Sequence, residues 1–194
     1  MRGIESALST QGQVLQLSQE LSGQWTVPIL VSLEKCRGRF TPIQHHLQIS
    51  PGRLSDNLKR MTESGLLRHL SPYERRHPAL PEYVLTEKGR LFREAALMLQ
   101  AAELELGYGR LSAKAWNMPV LLALHYKHEH FQDIRQALQQ VTPSMLSARL
   151  GNLHELGAVD KQLIAQPRPS FLYHLQQPAK RPIHRLADNL DSIV

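Results

Sequence analysis

One cysteine, Cys36, in 194 residues leaves no intrachain disulfide and no CxxC metal or redox pair. A reducing cytosol fits that usage, so a cytoplasmic location is expected. Long apolar runs are missing as well. The longest, Val120 to Leu124, is far short of the ~20 residues needed to cross a bilayer. No membrane partner is therefore expected. The N-terminus is polar within a few residues (Glu5, Ser9, Thr10, Gln11), unlike a signal peptide. No Gly-x-Ser-x-Gly, P-loop or paired catalytic carboxylates appear, which excludes the common hydrolase and nucleotide-dependent enzymes. Gly107-x-Gly109 follows a helical pattern rather than a strand, so it is no dinucleotide loop. His125, His128 and His130 span a helix end, where three metal ligands would not converge simply. His45 and His46 read as exposed polar positions. Neither a metal nor a cofactor is implied.

An acidic excess is also absent. The formal net charge is +6 and the pI is near 9.7, which favours a polyanionic partner. The charge is not a basic tail. Residues 1–107 carry +2 and residues 108–194 carry +4.

What is present is a repeat. Trp25, Pro28, Leu30, Leu33, Phe40, Ile43 and Leu47 recur 91 residues later as Trp116, Pro119, Leu121, Leu124, Phe131, Ile134 and Leu138. After one inserted residue the register becomes 92, pairing Pro51, Leu54, Ser55, Leu58 and Gly65 with Pro143, Leu146, Ser147, Leu150 and Gly157. Tyr83 and Leu85 match Tyr173 and Leu175 at 90. Register held across a whole unit implies two copies of one fold.

The first copy predicts its elements clearly. Residues 4–21 carry an apolar stripe at Leu8, Val14, Leu15, Leu17 and Leu21, an amphipathic helix. Helices follow from Trp25 to Lys35 and from Thr41 to Leu47. Gln48-Ile49-Ser50 is a turn. Ser50 is placed as N-cap with Pro51 at the first helical position. Leu54, Leu58 and Met61 form the buried stripe of that helix, and Gly65 stops it. Leu66 to Ser71 and Glu82 to Thr86 read as strands around a charged, proline-bounded loop. Glu87 to Leu106 is a long helix that breaks at Gly107-Tyr108-Gly109. The second copy predicts helices over 111–127, 131–139 and from Thr142-Pro143 onward, strands over 159–165 and 171–175, and a short terminal helix over 182–193. The fold class is mainly α with small β-hairpins: two tandem winged helix-turn-helix domains, residues 1–107 and 108–194.

In a helix-turn-helix the second helix enters the major groove, and its outward face presents donors to phosphates and base edges. Stepping ~100° per residue from Leu54 puts Gly52, Arg53, Asp56, Lys59 and Arg60 outward, with Ser55 and Asn57 at the flanks. Arg53 lies in the first turn and suits guanine or phosphate. Asp56 could accept from cytosine or pair with Arg53 or Arg60. Asn57 could read adenine but sits nearer the core. Arg75, Arg76 and His77 mark the wing tip as a phosphate or minor-groove contact, and Arg37 and Arg39 add further phosphate candidates.

Trp25-Thr26-Val27-Pro28-Ile29-Leu30, Arg39-Phe40, Ile49-Ser50-Pro51, Leu54-Ser55, Leu58, Gly65-Leu66 and Tyr83-Val84-Leu85-Thr86-Glu87-Lys88-Gly89 together resemble the HxlR-type winged-helix transcriptional regulators. That resemblance implies a regulator of double-stranded DNA, usually a homodimer built from its terminal helices. Members normally carry one unit per chain, so the tandem form is a departure, and the second copy lacks the Thr-Glu-Lys-Gly. Some similar regulators sense oxidants through a cysteine upstream of the Trp. Here that stretch has none. Cys36 is expected to be a half-buried inert thiol, although exposure beside Lys35 and Arg37 would lower its pKa.

The copies differ on the outward face. Gly52, Arg53, Asp56, Asn57, Lys59 and Arg60 become Ser144, Met145, Ala148, Arg149, Gly151 and Asn152. The second copy retains Arg149 on that helix and Arg168 on its wing. One reading is an internal pseudo-dimer whose copies read unlike half-sites. In the other, only the first copy reads DNA. The first copy is expected to be the main reader. The alternative function is a tandem winged-helix module that binds or scaffolds other proteins.

Overall fold

The computed structural model describes residues 2–165 and 169–194, with side chains from residue 10 onward. The elements run α1 (Arg2–Glu20), α2 (Thr26–Ser32), α3 (Phe40–Leu47), α4 (Pro51–Glu63), β1 (Leu67–His69), β2 (Tyr83–Leu85) and α5 (Glu87–Leu106). A 3₁₀ turn at Leu111–Ala113 follows. Then come α6 (Asn117–His125), α7 (Phe131–Leu138), α8 (Pro143–Glu155), β3 (Val159–Ile164), β4 (Ser170–Leu175) and α9 (Gln177–Asp191).

The chain forms two compact units. One is Gly23–Leu97, and the other joins Met1–Ser22 to Met98–Val194. In the first, α3 and α4 pack through Ile43, Leu54, Leu58 and Met61, all essentially without exposed surface. Each such side chain contributes roughly 1.5–3 kcal/mol by leaving water. Pro51 opens α4 without losing a hydrogen bond, since first-turn amides have no helical acceptor. Ser50 occupies the N-cap position, but its side chain makes no capping bond. Gly65, at φ 75°, ends the helix in the left-handed region, where glycine carries no Cβ penalty. β1 and β2 then pair antiparallel, Leu67 with Leu85 and His69 with Tyr83. A single antiparallel bridge joins Arg39 to Glu82 at the edge of this wing.

The Thr86-Glu87-Lys88-Gly89 stretch has a physical account. Thr86 Oγ1 donates to the carbonyl oxygens of Gly65 and Leu66 and accepts from the Gly89 amide at 3.0 Å, capping α5. A Cβ on Gly89 would run into the Leu66 carbonyl. The helix can approach the wing that closely only with glycine there.

The second unit repeats the same order, with Ile134, Leu146, Leu150 and Leu153 buried at the matching positions. The inserted residue falls in the turn, at Gln140, where an extra residue is tolerated without disturbing either helix. Thr142 does cap α8, accepting from the Met145 amide at 3.2 Å. The wing is longer, with β3 and β4 paired over six positions from Val159–Leu175 to Ile164–Ser170. Two expectations need correction. The continuous helix over 111–127 is instead a 3₁₀ turn and a shorter α6, separated by Trp116 in the left-handed region at φ 75°. The terminal helix starts at Gln177, five residues before Pro182, which α9 accommodates inside its second turn.

α1 packs against α6, α7 and α9. Its Val14, Leu15, Leu17 and Leu21 are buried. α1 therefore lies in the same compact unit as α6 to α9.

Candidate nucleic-acid interface

The outward face of α4 divides into free and tied side chains. Arg53, Ser55 and Asp56 are exposed, and none makes a side-chain hydrogen bond or ion pair among the described residues. Asp56 thus stays free of both Arg53 and Arg60. Lys59 lies 3.9 Å from Glu63, a surface pair at marginal distance that holds it weakly. Asn57 and Arg60 are tied. Asn57 donates to the Arg53 carbonyl at 2.7 Å and accepts from Arg60 at 2.9 Å. Arg60 also donates to Thr26 Oγ1 at 3.2 Å, fastening α4 to the start of α2. Both ends of the Asn57 amide are committed inside the protein, which leaves Arg53, Ser55, Asp56 and Lys59 able to turn toward a ligand.

The wing arginines are also committed. Arg75 donates through Nε to the Leu70 carbonyl at 2.7 Å and through Nη1 to the Pro78 carbonyl at 3.1 Å, and Nη2 lies 3.1 Å from His69 Nε2. It acts as the clasp of the 70–82 loop. Arg76 lies 3.6 Å from Glu82, whose carboxylate also accepts from the Arg76 amide. Arg68 pairs with Glu74 at 2.6 Å, and Glu74 accepts from the Ser71 amide at 3.0 Å. These donors stabilise the ionised carboxylate and hold the Glu74 pKa at about 2. Burial and the neighbouring Arg75 charge both push His69 below its ordinary value. Glu74 and Glu82 were not marked by sequence reasoning. Their signal was the alternation of charge sign through the loop. Tyr73, 99% exposed in this loop, was missed too. A fully exposed aromatic beside cations is a contact candidate in its own right.

Arg39 is half-buried at the N-cap of α3. Its backbone joins the wing, so it links that helix to the hairpin. Arg37, at φ 53°, stays exposed.

The second copy presents a different face. Arg149 Nε donates to the Ala115 carbonyl at 2.8 Å, so it closes the turn before α6. Met145 is exposed where the first copy has Arg53, and Leu163 and Phe171 are exposed on the wing. Arg168 lies outside the described residues. Cys36 is buried, and that burial pushes its thiol pKa up despite the opposing pull of Lys35. Activation by its cationic neighbours is therefore not realised.

Two stretches of the chain, residues 20–105 and 111–189, match the model of the HxlR-like helix-turn-helix family. The chain belongs to the HxlR-like helix-turn-helix family. It carries two copies of the HxlR-like unit in tandem, each a winged helix-turn-helix. Membership implies a DNA-binding transcriptional regulator and not an enzyme. Comparison with curated proteins and with solved structures found no match. No helix among the described residues is long and apolar enough to cross a membrane.

Proposed function

We propose that this HxlR-like protein regulates transcription by sequence-specific binding in which α4 of the first copy enters the major groove. Arg53, Asp56 and Lys59 would make the main contacts, with Ser55 beside them. The supporting observation is that these side chains combine exposure, on the outward face of α4, with freedom from firm internal bonds. Asn57 and Arg60 hold the helix surface in shape. Arg75 and Arg76 preform the wing and reach phosphate only with their remaining donors. Arg149 contributes mainly to the second copy's own structure, and Arg39 positions α3.

The packing of α1 on α9 inside one chain supports an internal pseudo-dimer: the terminal helices already have partners, so a homodimer built from them is not needed. Sedimentation would show a monomer on this reading. The exposed Met145, Leu163 and Phe171 favour a second role for the diverged copy, contact with another protein.

Gel shifts on the native operator test the unequal pair. Arg53→Ala should weaken binding about tenfold and reduce the salt slope by about one. Arg149→Ala should leave affinity within about twofold. Equal losses would sink this assignment, and absence of any salt-sensitive retention on random duplex at low salt would sink DNA reading itself.

A further inference from the structure

Both copies hold a cavity at the same place, bounded by the turn after the Trp-led helix, the second strand of the wing and the next helix. In the first copy it measures about 300 Å³ and is lined by Glu34 and Glu82 together with Arg37, Arg76 and Arg90. Glu34 pairs with Arg93 at 2.8 Å, and Glu82 pairs with Arg76. In the second copy the cavity grows to about 490 Å³, within the usual ~300–1,000 Å³ of small-molecule sites.

The repeat register shows what changed. Glu34 becomes His125 and Glu82 becomes Leu172, so two carboxylates are gone. Arg93, the partner of Glu34, becomes Ile183. Charge is also rearranged: Arg90 becomes Lys180, Leu91 becomes Arg181 and Cys36 becomes Lys127, while Arg37 becomes His128 and Gly38 becomes Glu129. The side chains of Lys127, Lys180 and Arg181 have no hydrogen-bond or ion-pair partner among the described residues. Among the described residues the lining holds one acid, Glu129, already 3.2 Å from His174, and Asp188 lies 3.5 Å from His184. His125 and His184 face each other with ring centroids 5.2 Å apart, and Leu124 and Leu175 supply apolar wall. Burial, and then the neighbouring His184, lower the His125 pKa, and they outweigh the opposing pull of Asp188 and Asp191.

We propose that the cavity at the end of α6 binds a small organic anion, a carboxylate on an apolar body, with Lys127, Lys180 and Arg181 taking the charge and Leu124 and Leu175 the body. The loss of the Glu34 and Glu82 carboxylates, with Lys127 and Arg181 gained and Lys180 in place of Arg90, leaves three cations at this cavity without a carboxylate partner. The site lies wholly in the second copy and does not depend on how α4 meets DNA.

Calorimetric titration of the full chain with benzoate, acetate and inorganic phosphate tests it. Saturable benzoate binding is expected, at least tenfold tighter than acetate. The double substitution Lys180→Gln and Arg181→Gln, both exposed residues, should weaken it tenfold or more. Arg90→Gln, at the matching place in the first copy, should leave it unchanged. Circular dichroism of each variant checks folding. No saturable benzoate binding, preference for phosphate, or equal affinity in the double variant would each overturn the proposal.

Discussion

Gly89 shows how a single missing methyl can outweigh helix propensity. Alanine is the better helix former by about 1 kcal/mol, and Gly89 sits in the first turn of α5. Yet its Cβ would strike the Leu66 carbonyl, a backbone atom that also accepts from Thr86. Gly89→Ala should therefore destabilise the Gly23–Leu97 unit by about 2 kcal/mol or more, measured by urea unfolding. A neutral or stabilising result would show that α5 can retreat from the wing at little cost. Residue identity was legible here as a Thr-x-x-Gly spacing. Its reason was not, because the carbonyl it avoids lies 23 positions earlier in the chain. The same limit applies to Asn57 and Arg60. Helical angle placed them toward the outside, but only rotamers reveal that they bond to each other and to Thr26.

Elements were read well where apolar period carries the information. The stripes of α4 and α8, the hairpin strands and the end of α5 follow from spacing, glycine and proline alone. The wing loop is harder, because its order comes from ionic bonds that leave no periodic trace. Glu74 holds Arg68 and the Ser71 amide, and its pKa stands at about 2 against an ordinary 4.5. A carboxylate with a lowered folded pKa stabilises its surroundings above the unfolded value and loses that effect as pH falls through the folded one. The loop should therefore loosen between about pH 4.5 and 2, seen as faster hydrogen exchange at the Ser71 amide. Glu74→Gln should show that faster exchange already at neutral pH. Unchanged protection in the variant would mean that Arg75 and the Arg76–Glu82 pair order the loop without Glu74.

On the scale of the whole molecule, the repeat predicts two copies, and two winged units are present. Which copy would receive α1 was not legible. An amphipathic stripe shows that a helix needs a partner without saying where along the chain the partner lies. Because α1 packs on α6, α7 and α9, a fragment of residues 1–107 should expose Val14, Leu15, Leu17 and Leu21 and self-associate. A fragment of residues 23–97 lacks that stripe and should stay monodisperse in light scattering. Equal behaviour of the two fragments would mean that α1 can find cover within the first copy.

The placement of α1 also has a consequence in time. This helix is made well before the last of its partners, α9. It leaves the ribosome some 170 residues before the end of α9, which at roughly 5–20 residues per second is a wait of about ten to thirty seconds. During that interval the first wing and α4 can fold, while α1 remains an uncovered apolar strip attached to them. Synthesis speed through the second copy, and not the stability of either unit, then sets how long the nascent chain is open to chaperones or to a neighbouring copy's α9.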